Sequence, residues 1–298
     1  MSKTTRTGLV VATYGKSWAV EDESGDLFHC HALRRCPQPC VGDRVRWQPA
    51  DSGRGRIVEI LPRRTLLTRP GRAGHPRPVA ANLDQVLIVI APEPPYDLLL
   101  VDQYLVVCEN NDLLPILVVN KIDLLDADKR RRLEADLTPY RPLYPILQVS
   151  AKTGVGITAL RDVLKNRTSL FAGQSGVGKS SLLKTLIPDR DIRIGELSAT
   201  TRRGRHTTTT AMLFHLPEGG AIIDTPGVAI FGLAGIDARK LAYGYKEFRP
   251  YIERCRFNDC RHLDDLGCAV REAVERGEIA PERYRRYRKL MEKLPEIS

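Results

Sequence analysis

Along residues 83–186 the apolar positions alternate between two rhythms. Largely apolar runs at 85–91, 115–119 and 144–149, interrupted only by Gln85 and Gln148, are bounded by Pro, Asn, Asp or Ser, the pattern of strands covered on both faces. Between them, 98–110, 127–137 and 157–166 read as helices, with Leu133 and Leu137, and Ile157, Leu160 and Leu164, three or four positions apart, the period of a helix with one buried stripe. A further strand begins at Ser169 and runs through a glycine-rich turn into a helix from Lys179, and another covers 221–224. Strands alternating with helices in this way predict a mostly parallel, doubly wound α/β sheet. Residues 1–66 read differently. Short runs at 8–12, 17–20, 27–31, 43–48 and 55–61, separated by Gly, Asp or Pro, predict a small five-stranded barrel, for which OB and SH3-like topologies both serve. Beyond residue 232 the strand rhythm stops, and 269–276 and 281–294 carry the helical period, Pro281 suiting a first turn.

The turn after Ser169 carries the first chemistry. Gly173, Gln174, Ser175, Gly176, Val177, Gly178, Lys179, Ser180 and Ser181 lie between an apolar strand and an apolar-periodic helix, the context of a phosphate-binding loop. The glycines permit backbone angles that turn successive N–H groups toward an anion. The helix adds the positive end of its dipole, Lys179 a full charge, and Ser180 a hydroxyl for Mg²⁺. Asn120, Lys121, Ile122 and Asp123 follow the buried run 115–119, where α/β sheets place ligands. The Asp123 carboxylate can accept from N1–H and the 2-amino group of guanine, and adenine would leave it desolvated and unpaired. Ser150, Ala151 and Lys152 end the strand 144–149, where their backbone can meet the guanine O6. Asp224 ends the run 221–224, is followed by Thr225, Pro226 and Gly227, and suits the Mg²⁺ shell. Together these motifs describe a Mg²⁺-dependent GTP hydrolase.

Their order narrows the reading. Ordinary GTPases place the phosphate loop first, whereas here NKID and SAK precede it and DTPG comes after it, so the domain is circularly permuted. With its flanking segments the chain resembles the ribosome small-subunit-dependent GTPase A (RsgA) family over nearly its whole length. That resemblance tips the barrel toward an OB-fold. It implies GTP and GDP as ligands, the small (30S) ribosomal subunit and its rRNA as partner, and late maturation of that subunit as the process. Hydrolysis is then expected to be stimulated by the subunit and coupled to release. The expected domains are an OB-like barrel at 1–66, a basic linker at 67–82, the permuted GTPase domain at 83–232 and a zinc-stabilised helical domain at 233–298. Nucleotide state is expected to reposition that last domain, because the DTPG segment leads into it. Two other classes stay open: a GTPase acting on tRNA or other RNA, and a non-catalytic RNA-binding protein with a vestigial nucleotide site. The intact Lys179, Ser180, Asp224 and Asp123 speak against the second.

The polar segment 198–210, rich in Arg and Thr, reads as a switch loop, with Thr208 the expected Mg²⁺ ligand. Where many GTPases place a glutamine after DxxG to orient water, this chain has Val228, which cannot. His206 is the titratable residue of the switch loop, and the resemblance suggests the same catalytic role for it. Near the C-terminus Cys255, Cys260, His262 and Cys268 bring three thiols and an imidazole into a short polar stretch, the donor set of a closed, structural Zn²⁺ site. The resemblance places the same pattern there. His29, Cys30, His31, Cys36 and Cys40 match no ligand spacing and read as ordinary barrel and loop residues, and Cys108 reads as core.

Charge adds a partner class. A formal net charge of +10 on 298 residues favours a polyanion such as RNA. Arg63, Arg64, Arg69, Arg72 and Arg77, with no acid among them, suggest a mobile connector touching RNA backbone. The run Arg283, Tyr284, Arg285, Arg286, Tyr287, Arg288 and Lys289 offers cations and rings to RNA, or else a solvated face. No stretch is apolar enough to span a membrane and the start lacks the core of a signal peptide. A cytoplasmic monomer is expected, its seven cysteines thiols or metal ligands.

Overall fold

The computed structural model describes residues 4–51, 53–69, 71, 77–189, 211–225, 233 and 235–294. Arg72, His206, Thr208, Gly227 and Val228 therefore lie outside the described residues. In chain order the strands are β1 (Arg6–Tyr14), β2 (Ser17–Glu21), β3 (Leu27–Ala32), β4 (Arg44–Ala50), β5 (Arg54–Ile60), β6 (Leu66–Arg69), β7 (Arg77–Ala81), β8 (Gln85–Ile90), β9 (Leu114–Val119), β10 (Ile146–Gln148), β11 (Thr168–Ala172), β12 (Met212–His215) and β13 (Ala221–Asp224). The α-helices are α1 (Leu98–Glu109), α2 (Ala127–Leu137), α3 (Ile157–Leu164), α4 (Lys179–Leu186), α5 (Ala238–Gly244), α6 (Arg249–Ile252), α7 (Ala269–Glu275) and α8 (Pro281–Met291). They form two compact units. One comprises Met1–Gln85, Thr158–Phe171 and Lys179–Ala229, the other Val86–Ile157, Ala172–Gly178 and Ile230–Ser298.

In the first unit, β1 to β5 pair in the order β1-β2-β3-β5-β4, and β1 pairs again with β4 to close a five-stranded barrel. Its core is Val10, Trp18, Val20, Cys30, Val45, Trp47 and Ile57. The Trp47 ring sets local sequence: a Cβ on Gly55 would stand 2.6 Å from it, so only glycine lets β5 pass. Burial pushes the Cys30 thiol up to about 12, which makes it a core atom. The His29 and His31 rings lie edge to face at 5.1 Å. The same unit holds β11, β13 and β12 in that order. β11 and β13 run parallel, and β12 is antiparallel to β13 and also to β1. β12 carries no pattern that marked it in the sequence.

The stretch after the barrel corrects the expectation of a mobile connector. β6 and β7 form an antiparallel hairpin, and Val41 bridges Ala80. Arg63 donates to both carboxylate oxygens of the buried Asp43, at 2.7 and 2.8 Å, and Arg64 pairs with Asp84 at 2.9 Å. Arg63 is thus engaged within the fold and is not held out toward RNA, whereas Arg64 keeps an exposed side chain beside Asp84. A guanidinium fork is worth more on a buried carboxylate, where the charge must be matched, than in water.

In the second unit the strand order is β10-β9-β8, β9 and β10 parallel, and every residue of β8 is buried. Helix α1 is apolar around most of its circumference, as a helix covered on several sides must be. Its Val106 joins a core with Tyr245, Phe248, Val270, Tyr287 and Leu290, and Cys108 is fully buried as expected. Gly244 lets α5 cross α1 closely, since a Cβ there would meet Val106 Cγ1 at 2.8 Å. α5 and α6 are additions to the helices legible in the sequence.

The basic run of α8 is also corrected, because half of it faces inward. Arg283 is 1% exposed and bonds Asp102 of α1 together with Glu247, the latter at 2.6 and 3.2 Å. Asp102, 0% exposed, further accepts from Arg286 Nε at 2.7 Å, Tyr140 Oη at 2.5 Å and Tyr245 Oη at 3.3 Å. The Arg283 guanidinium lies over the Tyr140 and Tyr245 rings at 4.8 and 4.5 Å. Tyr287 is buried. Arg285 and Arg288 remain on the surface, paired with Glu282 and Asp264.

Candidate nucleotide and metal sites

The glycine-rich turn adopts the backbone its composition allows. Gly173, Gly176 and Gly178 have φ of 138°, 83° and 93°, a region that L side chains avoid. Space restricts the first and last of them as well. A Cβ at Gly173 would stand 2.2 Å from the Val89 carbonyl oxygen, and one at Gly178 would stand 2.3 Å from Asn120 Nδ2.

That second contact shows what Asn120 does. It is 1% exposed, and its Nδ2 donates to the Val177 carbonyl at 2.9 Å while its Oδ1 accepts from the Ala151 N–H at 3.2 Å. One amide therefore ties the glycine-rich turn to the Ser150-Ala151-Lys152 loop. Its backbone N–H in turn donates to Ile90 of β8 at 2.8 Å. Lys121 takes a left-handed conformation, φ 60°, and its Nζ donates to the Glu93 carbonyl at 2.8 Å. The chain then turns so that Asp123 is exposed. Ser150 Oγ donates to Asp123 Oδ1 at 2.5 Å and accepts from the Thr153 N–H at 3.1 Å. The Ser150 hydroxyl bond is the main cause holding the Asp123 carboxyl below its usual range, so it stays an acceptor at neutral pH.

Ile122, Lys152 and Ser175 sit in the same loops without a hydrogen bond to Asp123 among those described, and Gln174 Nε2 donates to the Pro95 carbonyl at 2.7 Å. The segment 93–95, where Pro94 Cδ would stand 3.3 Å from a Cβ placed on Gly176, borders the turn although no motif announced it. Only its position after the buried strand β8 could have pointed to it.

In the first unit, Lys179 opens α4 and is half-buried. Desolvation holds its ammonium below the ordinary lysine range, with the Asp224 carboxylate acting in the opposite sense. A desolvated ammonium gains from every added anion, which suits a phosphate. Ser180 and Ser181 are exposed on the first turn of α4, and Asp224 ends β13. A hydroxyl and a carboxylate are the hard oxygen donors that Mg²⁺ takes.

The other cluster is Cys255, Cys260, His262 and Cys268, whose donor atoms all lie within 4.8 Å of one another. His262 Nδ1 stands 3.5 Å from the sulfurs of both Cys255 and Cys268. Ligands at about 2.3 Å from a tetrahedral Zn²⁺ are separated by roughly 3.8 Å, so the spacing and donor set fit that ion. Burial holds the His262 imidazole below its ordinary pKa, hence neutral, as a ligand must be. The backbone is held to match. His262 has φ 58°, and Tyr284 and Tyr287 of α8 donate to the carbonyls of His262 and Arg261 at 2.8 and 2.7 Å. Zinc would supply structure here, joining the loop to α7 through Cys268. The purified protein is expected to hold one Zn²⁺, lost in Cys260→Ser. Strong chelation should melt the Cys255–Cys268 loop while Trp18 and Trp47, both in the barrel, keep their emission. Zinc-free wild-type protein would contradict the assignment.

No described helix is long and apolar enough to cross a membrane. The chain is similar to Small ribosomal subunit biogenesis GTPase RsgA of Pseudomonas aeruginosa, with 44% identity over 98% of this chain and 86% of that protein. The namesake from Azotobacter vinelandii is 45% identical over 97% of this chain and 86% of its own length. Among solved structures, YjeQ from Thermotoga maritima superposes with a TM-score of 0.78 at 37% identity, covering 99% of this chain and all of that one. YloQ, described as a circularly permuted GTPase, gives 0.74 at 30% identity over 99% and 98% of the two chains. A family model for the RsgA GTPase matches residues 60–234. With that match, and relatives identical at nearly every second position over almost the whole chain, the chain belongs to the RsgA GTPase family.

Proposed function

We infer that this chain is a GTP-hydrolysing enzyme of small-ribosomal-subunit biogenesis. The observation that carries the reading is the single Asn120 amide, which joins the glycine-rich turn to the SAK loop beside the exposed Asp123. That arrangement suits a site in which a guanine and a phosphate chain are held at once. In this reading Asp123 accepts from the guanine edge, and Ala151 and Lys152 lie along the base. The N–H groups of 173–178 with Lys179 hold the β- and γ-phosphates, and Ser180, Asp224 and Thr208 serve Mg²⁺. Magnesium, when bound with GTP, neutralises charge developing on the phosphate oxygens. Water attacks the γ-phosphorus as the bond to the β-phosphate oxygen breaks. His206 is the group we assign to orient that water.

The finer proposals are that the enzyme acts late in maturation, in the cytoplasm and as a monomer, binding the 30S subunit and its rRNA. The subunit stimulates hydrolysis, and hydrolysis releases the enzyme. As domain limits we propose 1–66, 67–82, 83–232 and 233–298, the second piece being read as part of a hairpin.

Single-turnover GTP hydrolysis with saturating small subunits tests the reading. The subunits should raise the rate well above that given by tRNA or other free RNA. His206→Ala should lose about 10²-fold of the stimulated rate with GTP affinity nearly intact. Equal stimulation of the variant would leave His206 a loop residue, and stimulation by free RNA alone would move the target away from the subunit.

A further inference from the structure

Strand β1 belongs to two structures at once. Its first half, Arg6 to Leu9, pairs with β4 and closes the barrel. Its second half pairs with β12, Ala12 opposite Met212, and the Thr13 N–H donates to the Ala211 carbonyl at 3.1 Å. The changeover coincides with an irregularity between Val10 and Ala12 in the pairing with β2. A bulge there re-aims a strand and raises its twist. Met212 in turn stands opposite Asp224. A row of paired residues thus crosses the sheet from the barrel wall, through Ala12 and Met212, to Asp224, two strand spacings or about 10 Å.

Two further contacts hold the same strands to the barrel. Glu21 of β2 meets His215 of β12 at 2.6 Å. The barrel loop packs on β13 at Gly42, where φ is +90° and a Cβ would stand 3.2 Å from Ile223 Cδ1 and 2.2 Å from the Ala81 carbonyl oxygen. That loop cannot shift easily, because Gly42 N–H donates to Val10 at 2.9 Å and the Asp43 carboxylate is forked by Arg63.

We propose that the barrel is a positioning element of the GTPase site: through the row Ala12–Met212–Asp224 and the Glu21–His215 pair it sets where the Asp224 carboxylate stands. Hydrolysis then depends on the barrel, whereas capture of the guanine does not. This rests on the reading of Asp224 as the Mg²⁺ acid, and the test separates the two. A polyanion that loads the barrel is felt at Asp224 through backbone pairing, with no contact to the nucleotide.

The experiment uses the full chain and three readouts: Mg²⁺ titration of single-turnover GTP hydrolysis, affinity for fluorescent GDP in EDTA, and emission of Trp18 and Trp47, the sequence's two tryptophans. Displacing a catalytic group by about 1 Å can cost ~10²-fold in rate. Thr13→Pro removes the N–H given to Ala211 and should slow hydrolysis about tenfold or more and raise the Mg²⁺ requirement. GDP affinity in EDTA and tryptophan emission should stay as in the wild type. Glu21→Gln should show the same split at about two- to fivefold, the range of an exposed pair, and Glu21→His with His215→Glu should restore the rate. Asp224→Asn must itself be slow; at the wild-type rate, it removes the Asp224 reading and the proposal with it. Given a slow Asp224→Asn, a Thr13→Pro protein with native emission and unchanged rate overturns the proposal alone, as does one that loses GDP equally. Should Thr13→Pro disturb the barrel emission, the Glu21 variants decide, an unchanged Glu21→Gln rate overturning the proposal.

Discussion

Asp123→Asn should convert the protein from a GTP binder to one that prefers xanthosine triphosphate. Ser150 Oγ donates to Asp123 Oδ1, so in the variant the amide keeps its oxygen toward Ser150 and turns its NH₂ to the base. There it faces the 2-amino group of guanine, donor against donor, whereas the 2-oxo group of xanthine accepts. Sites built on such hydrogen bonds reject the mismatched partner by roughly 10⁴-fold, and exposure of Asp123 lowers this toward about 10³. Competition of GTP and xanthosine triphosphate for fluorescent GDP measures it. Undiminished GTP affinity in the variant would remove Asp123 from base recognition. The neighbouring Asn120 should behave differently: Asn120→Ala would weaken all nucleotides alike, because its amide bonds only protein backbone among the described contacts.

Asp102→Ala should cost the second unit about 3–5 kcal/mol, the range for removing one member of a buried ion cluster. The loss is large because Arg283, 1% exposed, and Arg286 keep their charges after their shared carboxylate is gone, and two phenols lose an acceptor. Glu247 compensates Arg283 in part. Urea unfolding tracked by far-ultraviolet circular dichroism should show the shift, with Trp18 and Trp47 reporting the barrel separately. Arg286→Ala should cost less, since it leaves Asp102 paired with Arg283. A stability within about 1 kcal/mol of wild type for Asp102→Ala would mean that water reaches the cluster. The same cluster bears on the expected movement of the C-terminal helices. Within the second unit α8 is anchored to α1 by buried charges, so those helices should move with α1.

The alternation of buried strands with helices was readable because strands covered on both faces must be almost wholly apolar, as β9 is and β8 is after Gln85. The three glycines of the phosphate loop were readable because positive φ excludes other residues. The Cys3His cluster was readable because soft donors so close together in sequence have few other uses. By contrast, α8 misled: seven residues of Arg, Tyr and Lys look like a surface. The acid that buries Arg283 and Arg286 lies on α1, some 180 positions earlier. Arg63 misled in the same way, its partner Asp43 being hidden within the barrel. Strand β12 escaped notice because no motif follows it, whereas the equally short β13 ends in the DTPG motif.

By itself the sequence determined the features that local chemistry dictates: most strands and helices of the α/β core, which turns need glycine, and where a lone carboxylate and a cluster of three thiols and an imidazole stand. Tertiary structure decided which charges are surface and which are core, that Asn120 binds backbone, and that β1 serves the barrel and β12 together. Those outcomes depend on pairs far apart in the chain. A charge, an amide or a strand edge has no fixed role until folding brings its partner and removes the water between them.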